Sequence, residues 1–152
     1  YMAFMGIDPG QKGGIAYIGK EATFVYPFSK ESLLITAEYA KLYPITICAL
    51  ETGHAFPGQG VVSMFNFGVS YGYIQGVLDA YRVPFHRVSP QNWKKHFGLI
   101  GKDKQASIEK AHELFPDISL ISSKRCKKES DGMAEALVIA EYARYEQERC
   151  YS

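Results

Sequence analysis

The stretch SDGMAEAL over residues 130–137 places Asp131 and Glu135 four apart, directly ahead of the apolar run ALVIA. The pattern predicts a helix that begins here, and residues four apart share one face of a helix. Two like charges on one face repel, more strongly once desolvated. A bound cation turns that cost into a gain. Two further acids close apolar segments: Asp8 ends MAFMGID and Glu51 ends PITICALE. In an open α/β sheet, ligand groups gather beyond the carboxyl ends of the strands. Were these two segments neighbouring parallel strands, both carboxylates would lie at one sheet edge, within reach of the last helix's first turn. Four converging carboxylates require a counter-charge. Hard divalent cations with oxygen ligands supply one, and Mg2+ keeps waters and takes phosphate oxygens of a substrate. Two such ions about 3.5–4 Å apart activate a water and stabilise the leaving oxygen of an in-line phosphodiester displacement. Singly, each acid has an ordinary role: Asp8 in a turn, Glu51 at a strand end, Asp131 as an N-cap or first-turn acid, Glu135 on a solvated face. Their combination is far more specific.

The elements that must position them follow from periodicity. MAFMGID, GIAYIG and ATFVYPF read as an antiparallel meander, with the turn DPGQKGG after the first strand. SKESLLITAEYAKLY has helical spacing, with Ser29 as its N-cap and Glu31 close behind. PITICALE is apolar and rich in β-branched residues, as a buried central strand should be. After the loop TGHAFPGQG comes a long helix, VVSMFNFGVSYGYIQGVLDAYRV, whose Gly68, Gly72 and Gly76 form a stripe. Such a stripe costs helix propensity and is expected where another backbone packs close, on the sheet or on a second copy. PFHRV is a short strand, SPQNWKKHFG a Ser-capped short helix, and KDKQASIEKAHELFP a helix stopped by Pro116. DISLISSKRCKKES is a polar, basic and mobile connection to the final helix, DGMAEALVIAEYARYEQERC, with Met133, Ala136, Leu137, Ala140 and Ala143 as its apolar stripe. The order, β-β-β-α-β-α-β-α and a last helix, predicts an α/β fold: one mixed sheet flanked by helices in a single domain.

Composition agrees with a globular chain: 152 residues, 47% hydrophobic and 22% charged. No apolar run reaches membrane-spanning length, and the first residues lack the features of a secretory signal. Cys48, Cys126 and Cys150 form no CxxC pair, which argues for reduced thiols, an intracellular setting and no zinc site. The net charge of +1 conceals an asymmetry. Residues 1–81 hold four Lys/Arg and six Asp/Glu, residues 82–128 eleven and four, residues 129–152 two and six. A basic middle beside acidic ends fits a phosphate-binding surface next to a metal-binding cluster; a mixed solvated surface is the plain alternative.

In sequence, spacing and order, IDPGQKGGIAYI, ALETGHAFPGQG, SPQNWKKHFGL with KDKQASIEKAHELFP, and SDGMAEALVIAEY resemble the RuvC-like Holliday junction resolvases of the ribonuclease H-like superfamily, in the phage, bacterial and chloroplast-type branch. The resemblance spans residues 2–145. It implies a mixed five-stranded sheet with flanking helices and a homodimer. It also implies Mg2+ or Mn2+, two ions per site, at four acidic or histidine positions. The implied reaction is paired cutting of opposed strands of a four-way DNA junction, leaving 5′-phosphate and 3′-hydroxyl ends. Asp8, Glu51, Asp131 and Glu135 match the four ligand positions. The last two are spaced by four, as in the chloroplast-like branch, where the best-known bacterial members have three; Ser130 stands where some members carry a His. Neither a membrane nor an organic cofactor is implied.

Further residues acquire expected roles. Lys94 and Lys95, Lys102 and Lys104, and the cluster Lys124, Arg125, Lys127 and Lys128 would track DNA backbones and make binding salt-dependent. Lys104 resembles the family's basic residue near the scissile phosphate, where it would stabilise transition-state charge. Phe56 and Phe65 are candidates to stack on splayed bases and Gln59 to meet base edges, whereas Phe67 reads as core. Trp93 reads as an anchor for its short helix. None of His54, His86, His96 and His112 is assigned to catalysis, although His54 lies near Glu51 in sequence. Three other readings stay open at this point: a less selective debranching endonuclease on the same fold, a junction-binding protein without cleavage, and, weakest for a chain this short, an actin-like nucleotide-binding domain.

Overall fold

The structure, a computed structural model, describes residues 2–53 and 57–151. His54 and Phe56 lie outside the described residues. Five strands form one sheet: β1 (Phe4–Asp8), β2 (Gly14–Ile18), β3 (Thr23–Pro27), β4 (Ile47–Glu51) and β5 (Phe85–Val88). The helices are α1 (Lys30–Leu42), α2 (Val61–Ala80), α3 (Pro90–His96), α4 (Lys104–Leu114) and α5 (Asp131–Tyr151). The sheet order is β3-β2-β1-β4-β5. β1 to β3 form the expected antiparallel meander, while β4 and β5 add on in parallel to β1. This is the mixed α/β architecture the sequence predicts, with three separate helices after β5.

Strand alternation divides the core in two. Phe4, Ala16, Val25, Ala49 and Val88 face α5 with its neighbours α3 and α4. Met5, Ile7, Ile15, Cys48 and Leu50 face the α1 and α2 side, with Leu33, Ile74 and Leu78. The expected stripe of α5 is buried, and so are Ala134, Val138 and Ile139, so this helix is enclosed on most of its circumference. Its close approach to the sheet depends on small residues. A methyl group at Gly6 would overlap the Ala140 amide and the Ala136 carbonyl, and one at Gly14 would lie 2.6 Å from the Gly132 carbonyl oxygen. The backbone contact sought at the α2 stripe is therefore made here. Gly68, Gly72 and Gly76 have nothing within 4 Å of where a Cβ would sit, which corrects the expectation that this stripe packs on the sheet.

Caps set the helix starts. Ser29 caps α1 in a reciprocal box with Ser32, not Glu31, because the box requires the third helical residue. Asp103 caps α4. The basic connection expected to be mobile is tied at both ends: Leu120 is buried, Ile121 bridges Glu129, and the Ser130 amide donates to the Leu120 carbonyl.

Candidate active site

Register and alternation bring the first two acids together. Ile7 pairs with Leu50 in the parallel β1–β4 ladder, so Asp8 and Glu51 come one step beyond it, at the same end. Both share the strand parity of Gly6 and Ala49 and thus face α5. Helix α5 starts above this edge because Ser130 caps it, accepting from the Met133 amide at 3.1 Å. Capping by Ser130 leaves Asp131 free of that duty in the first turn, and Glu135 one turn on. Carboxylate oxygens of Asp8, Glu51 and Glu135 lie within 4.8 Å of one another, all partly buried. Among the described residues no other group of three metal-ligating side chains converges in this way. Asp131 adjoins the cluster and instead pairs with Lys104 at 3.3 Å. The structure thus gathers three of the four predicted acids tightly and sets the fourth beside them.

The crowding is costly. Asp8 is pushed up to about 9, first by burial, then by the charges of Glu51 and Glu135, a hydrogen bond with Glu135 and the charge of Asp131. Glu51 is also raised, chiefly by burial; the Trp93 indole and the Lys94 charge oppose this and Glu135 adds to it. Three hard oxygen donors in a half-buried cluster, one held protonated near neutrality, are a donor set that suits a divalent cation.

Helices α3 and α4 supply the groups that hold these carboxylates. The Trp93 indole N–H donates to Glu51 Oε2 at 2.8 Å, and Trp93 itself is fully buried. Ser107 Oγ lies 3.5 Å from Glu135 Oε1, a long contact. From α2, the Tyr71 hydroxyl donates to the Glu51 carbonyl at 3.0 Å. Sequence reading treated Trp93 only as an anchor. The signal it passed over is that a buried indole N–H needs an acceptor, and Glu51 supplies it.

The remaining expected residues are distributed as follows. Lys94 lies close enough to Glu51 to act on its carboxylate, and Lys95 and Lys102 are exposed. Lys104 opens α4 with its side chain 74% exposed despite the pairing with Asp131. Lys124, Arg125, Lys127 and Lys128 are all exposed on the segment that leads into Asp131. Phe65 is exposed on the first half of α2, and Gln59 donates to Ser63 just ahead of it. Phe67 is only half-buried, stacked on Tyr71 and covering Gly53, rather than fully in the core. His86 pairs with Glu146 and His112 with Glu129, while His96 stacks on Tyr145.

No protein-family model matches the sequence. No curated protein matches it either. Solved structures do. RuvC of Thermus thermophilus superposes with a TM-score of 0.60 at 18% identity, covering 95% of this chain and 97% of that one. The same protein in complex with a Holliday junction substrate gives 0.63 at 17%, covering 95% and 96%. The Fowlpox virus resolvase, in complex with its substrate Holliday junction DNA, gives 0.52 at 13%, covering 96% and 99%. These likenesses extend over nearly the whole of each chain and establish a RuvC-like fold.

Proposed function

We propose that this chain is a metal-dependent endonuclease that cuts opposed strands of four-way DNA junctions. The observation that carries the reading is the convergence of Asp8, Glu51 and Glu135 within 4.8 Å at the carboxyl ends of two adjacent parallel strands. The fold likeness to junction resolvases supports the choice of substrate. Asp8, Glu51 and Glu135 would hold the metal, with Asp131 released to it from Lys104. Bound there, Mg2+ or Mn2+ would supply Lewis-acid activation of water and neutralisation of the charge that builds during phosphodiester hydrolysis. The chain's own groups do the rest. Trp93 fixes the orientation of Glu51. Lys104 offers its ammonium to a phosphate oxygen as charge builds there. Water's oxygen bonds to phosphorus, the bond from phosphorus to the 3′ oxygen breaks, and the products are a 5′-phosphate and a 3′-hydroxyl. The exposed lysines, with Arg125, follow the backbones of the junction arms.

Two opposed cuts require two sites, so the functional unit is a homodimer. The supporting feature is α2, an apolar helix of 20 residues that buries only Ile74 and Leu78. Its other face presents Gly68, Val69, Gly72 and Gly76 to open space, while Val61, Val62 and Phe65 of the first turns would meet the junction centre.

The test is a gel assay with end-labelled four-way junction, Y-fork and linear duplex, with and without Mg2+. Symmetrical paired nicks in the junction alone, dependent on metal, are expected. Cutting of every branched form would favour the debranching endonuclease, and binding without cutting in Mg2+ or Mn2+ would overturn the enzymatic reading.

A further inference from the structure

The end of β4 is held from both faces of the sheet, and the two holds act on different parts of Glu51. On the α5 side, Trp93 holds the carboxylate. On the other side, α2 holds the main chain. The Tyr71 hydroxyl donates to the Glu51 carbonyl at 3.0 Å, and the Gly53 backbone amide hydrogen-bonds the same hydroxyl. One phenol thus bridges the residues on either side of Thr52. The phenol's pKa is raised, first by burial, so the donated proton is retained. Phe67 stacks on Tyr71, with ring centroids 5.6 Å apart at 20°, and occupies the space that the missing side chain of Gly53 leaves open. A methyl group at Gly53 would lie 1.8 Å from Phe67 Cζ.

Phe67, Tyr71, Ile74 and Leu78 recur at helical spacing along the inner stripe of α2. Ile74 and Leu78 are buried and seat the helix on the core without any polar group. Packing asks only for the ring of Tyr71, and a phenylalanine would fill the same place. The hydroxyl therefore has a separate use. On the β5 side, the strand end is already tied, because the Thr52 amide donates to the Val88 carbonyl at 2.8 Å. On the β1 side, the last paired residue of β4 is Leu50, one short of Glu51. Thr52 adds no hold of its own, since its hydroxyl is buried and, among the described residues, without a partner. Tyr71 is what fixes the peptide that leaves Glu51 on this side. The direction of a strand side chain follows its main chain. Rotation of that peptide would swing the Glu51 carboxylate away from Asp8 and Glu135.

We infer that Tyr71 is a positioning residue for the acidic cluster, fixing the main chain at Glu51 so that its carboxylate, held at the tip by Trp93, converges with those of Asp8 and Glu135. This rests on the cation reading of the three acids and adds to it a residue that acts only through Glu51. It also makes the inner face of α2 part of the site's scaffold, alongside α3 and α5.

The test is Tyr71→Phe in the full chain, which keeps the ring and its stack on Phe67 and removes one hydroxyl. Calorimetric titration with Mn2+ should show affinity lowered by ~10-fold, the scale on which partners of metal ligands act. Junction cleavage should lose kcat with KM for the junction unchanged, because no DNA contact is removed. In the metal-free protein, hydrogen exchange at the Gly53 amide should quicken, since one of its acceptors is gone. Gly53→Ala approaches the same point through the other ring: it displaces Phe67, removes no polar group, and should also weaken Mn2+ binding. A hydroxyl that served only the fold would lower the denaturation midpoint and leave the Mn2+ titration where it was. An Mn2+ affinity in Tyr71→Phe equal to that of the wild type, whatever the variant's stability, would overturn the positioning role and leave the cluster standing. No Mn2+ binding by the wild-type protein would overturn the cation reading, and this inference with it.

Discussion

Helices α2 and α5 are close in length, 20 and 21 residues, and opposite in use. α5 is enclosed by the sheet, α3 and α4, and its Ala136 and Ala140 backbone lies on Gly6. α2 is the more apolar of the two in sequence, yet its glycine stripe meets nothing, and Val61 is 84% exposed and Val69 57%. The lesson is that apolar content does not say where a helix is buried. α5 is satisfied within the chain, and that packing sets Asp131 and Glu135 at the edge of β1 and β4. The outer face of α2 is exposed, and we propose that DNA meets it at one end and a second copy along the rest.

The largest effect should come from α5 and its partner strands. Asp8→Asn or Glu135→Gln should lower junction cleavage by about 10^3-fold or more while junction binding in a gel-shift assay persists. If both variants cut at the wild-type rate, α5 does not carry the chemistry. Next is the support of Glu51. Trp93→Phe keeps the buried ring but removes the 2.8 Å hydrogen bond, and should weaken Mn2+ binding by ~10–100-fold as read by calorimetric titration.

Two glycines then separate the helices directly. Gly6→Ala forces a methyl into the backbone of α5 and should cost about 1–3 kcal/mol in chemical denaturation. Gly72→Ala meets open space and should stabilise the isolated chain by up to ~1 kcal/mol through helix propensity. A tolerated Gly6→Ala together with a destabilising Gly72→Ala would reverse the assignment of which helix is packed. On the outer face, Val69→Asp should shift the sedimentation of the protein from dimer toward monomer and change the unfolding of the monomer by less than about 0.5 kcal/mol.

The sequence made much of this legible. Strand periodicity located all five strands, and the acids at the ends of β1 and β4 announced the candidate cluster because residues of one parity at the ends of parallel neighbours converge. The glycines were harder to interpret. The stripe on α2 is obvious in the sequence, but helical spacing shows only that glycines share a face, not which way the face turns. The glycines that do permit close packing, Gly6, Gly14 and Gly132, are scattered across two strands and a helix, and only the tertiary fold brings them together. The same holds for the bond from Trp93 to Glu51, which joins residues 42 apart in the chain. The pairing of Asp131 with Lys104 was equally out of reach, since each was expected to act on the substrate rather than on the other.

The central claim is that the acids form a cation site, and the unfolding free energy between pH 5 and 9, with and without Mn2+, tests it most directly. Asp8 titrates near 9 in the folded chain and near 3.8 unfolded, so between those values the folded state holds the extra proton. Stability of the metal-free protein should therefore fall as pH rises through this window. Mn2+ should bind the deprotonated cluster, release protons and remove the fall. In Asp8→Asn the Asp8-dependent part of the slope and most of the metal's stabilisation should both be absent. A wild-type profile that matches the variant's, with no stabilisation by metal at any pH, would contradict the account.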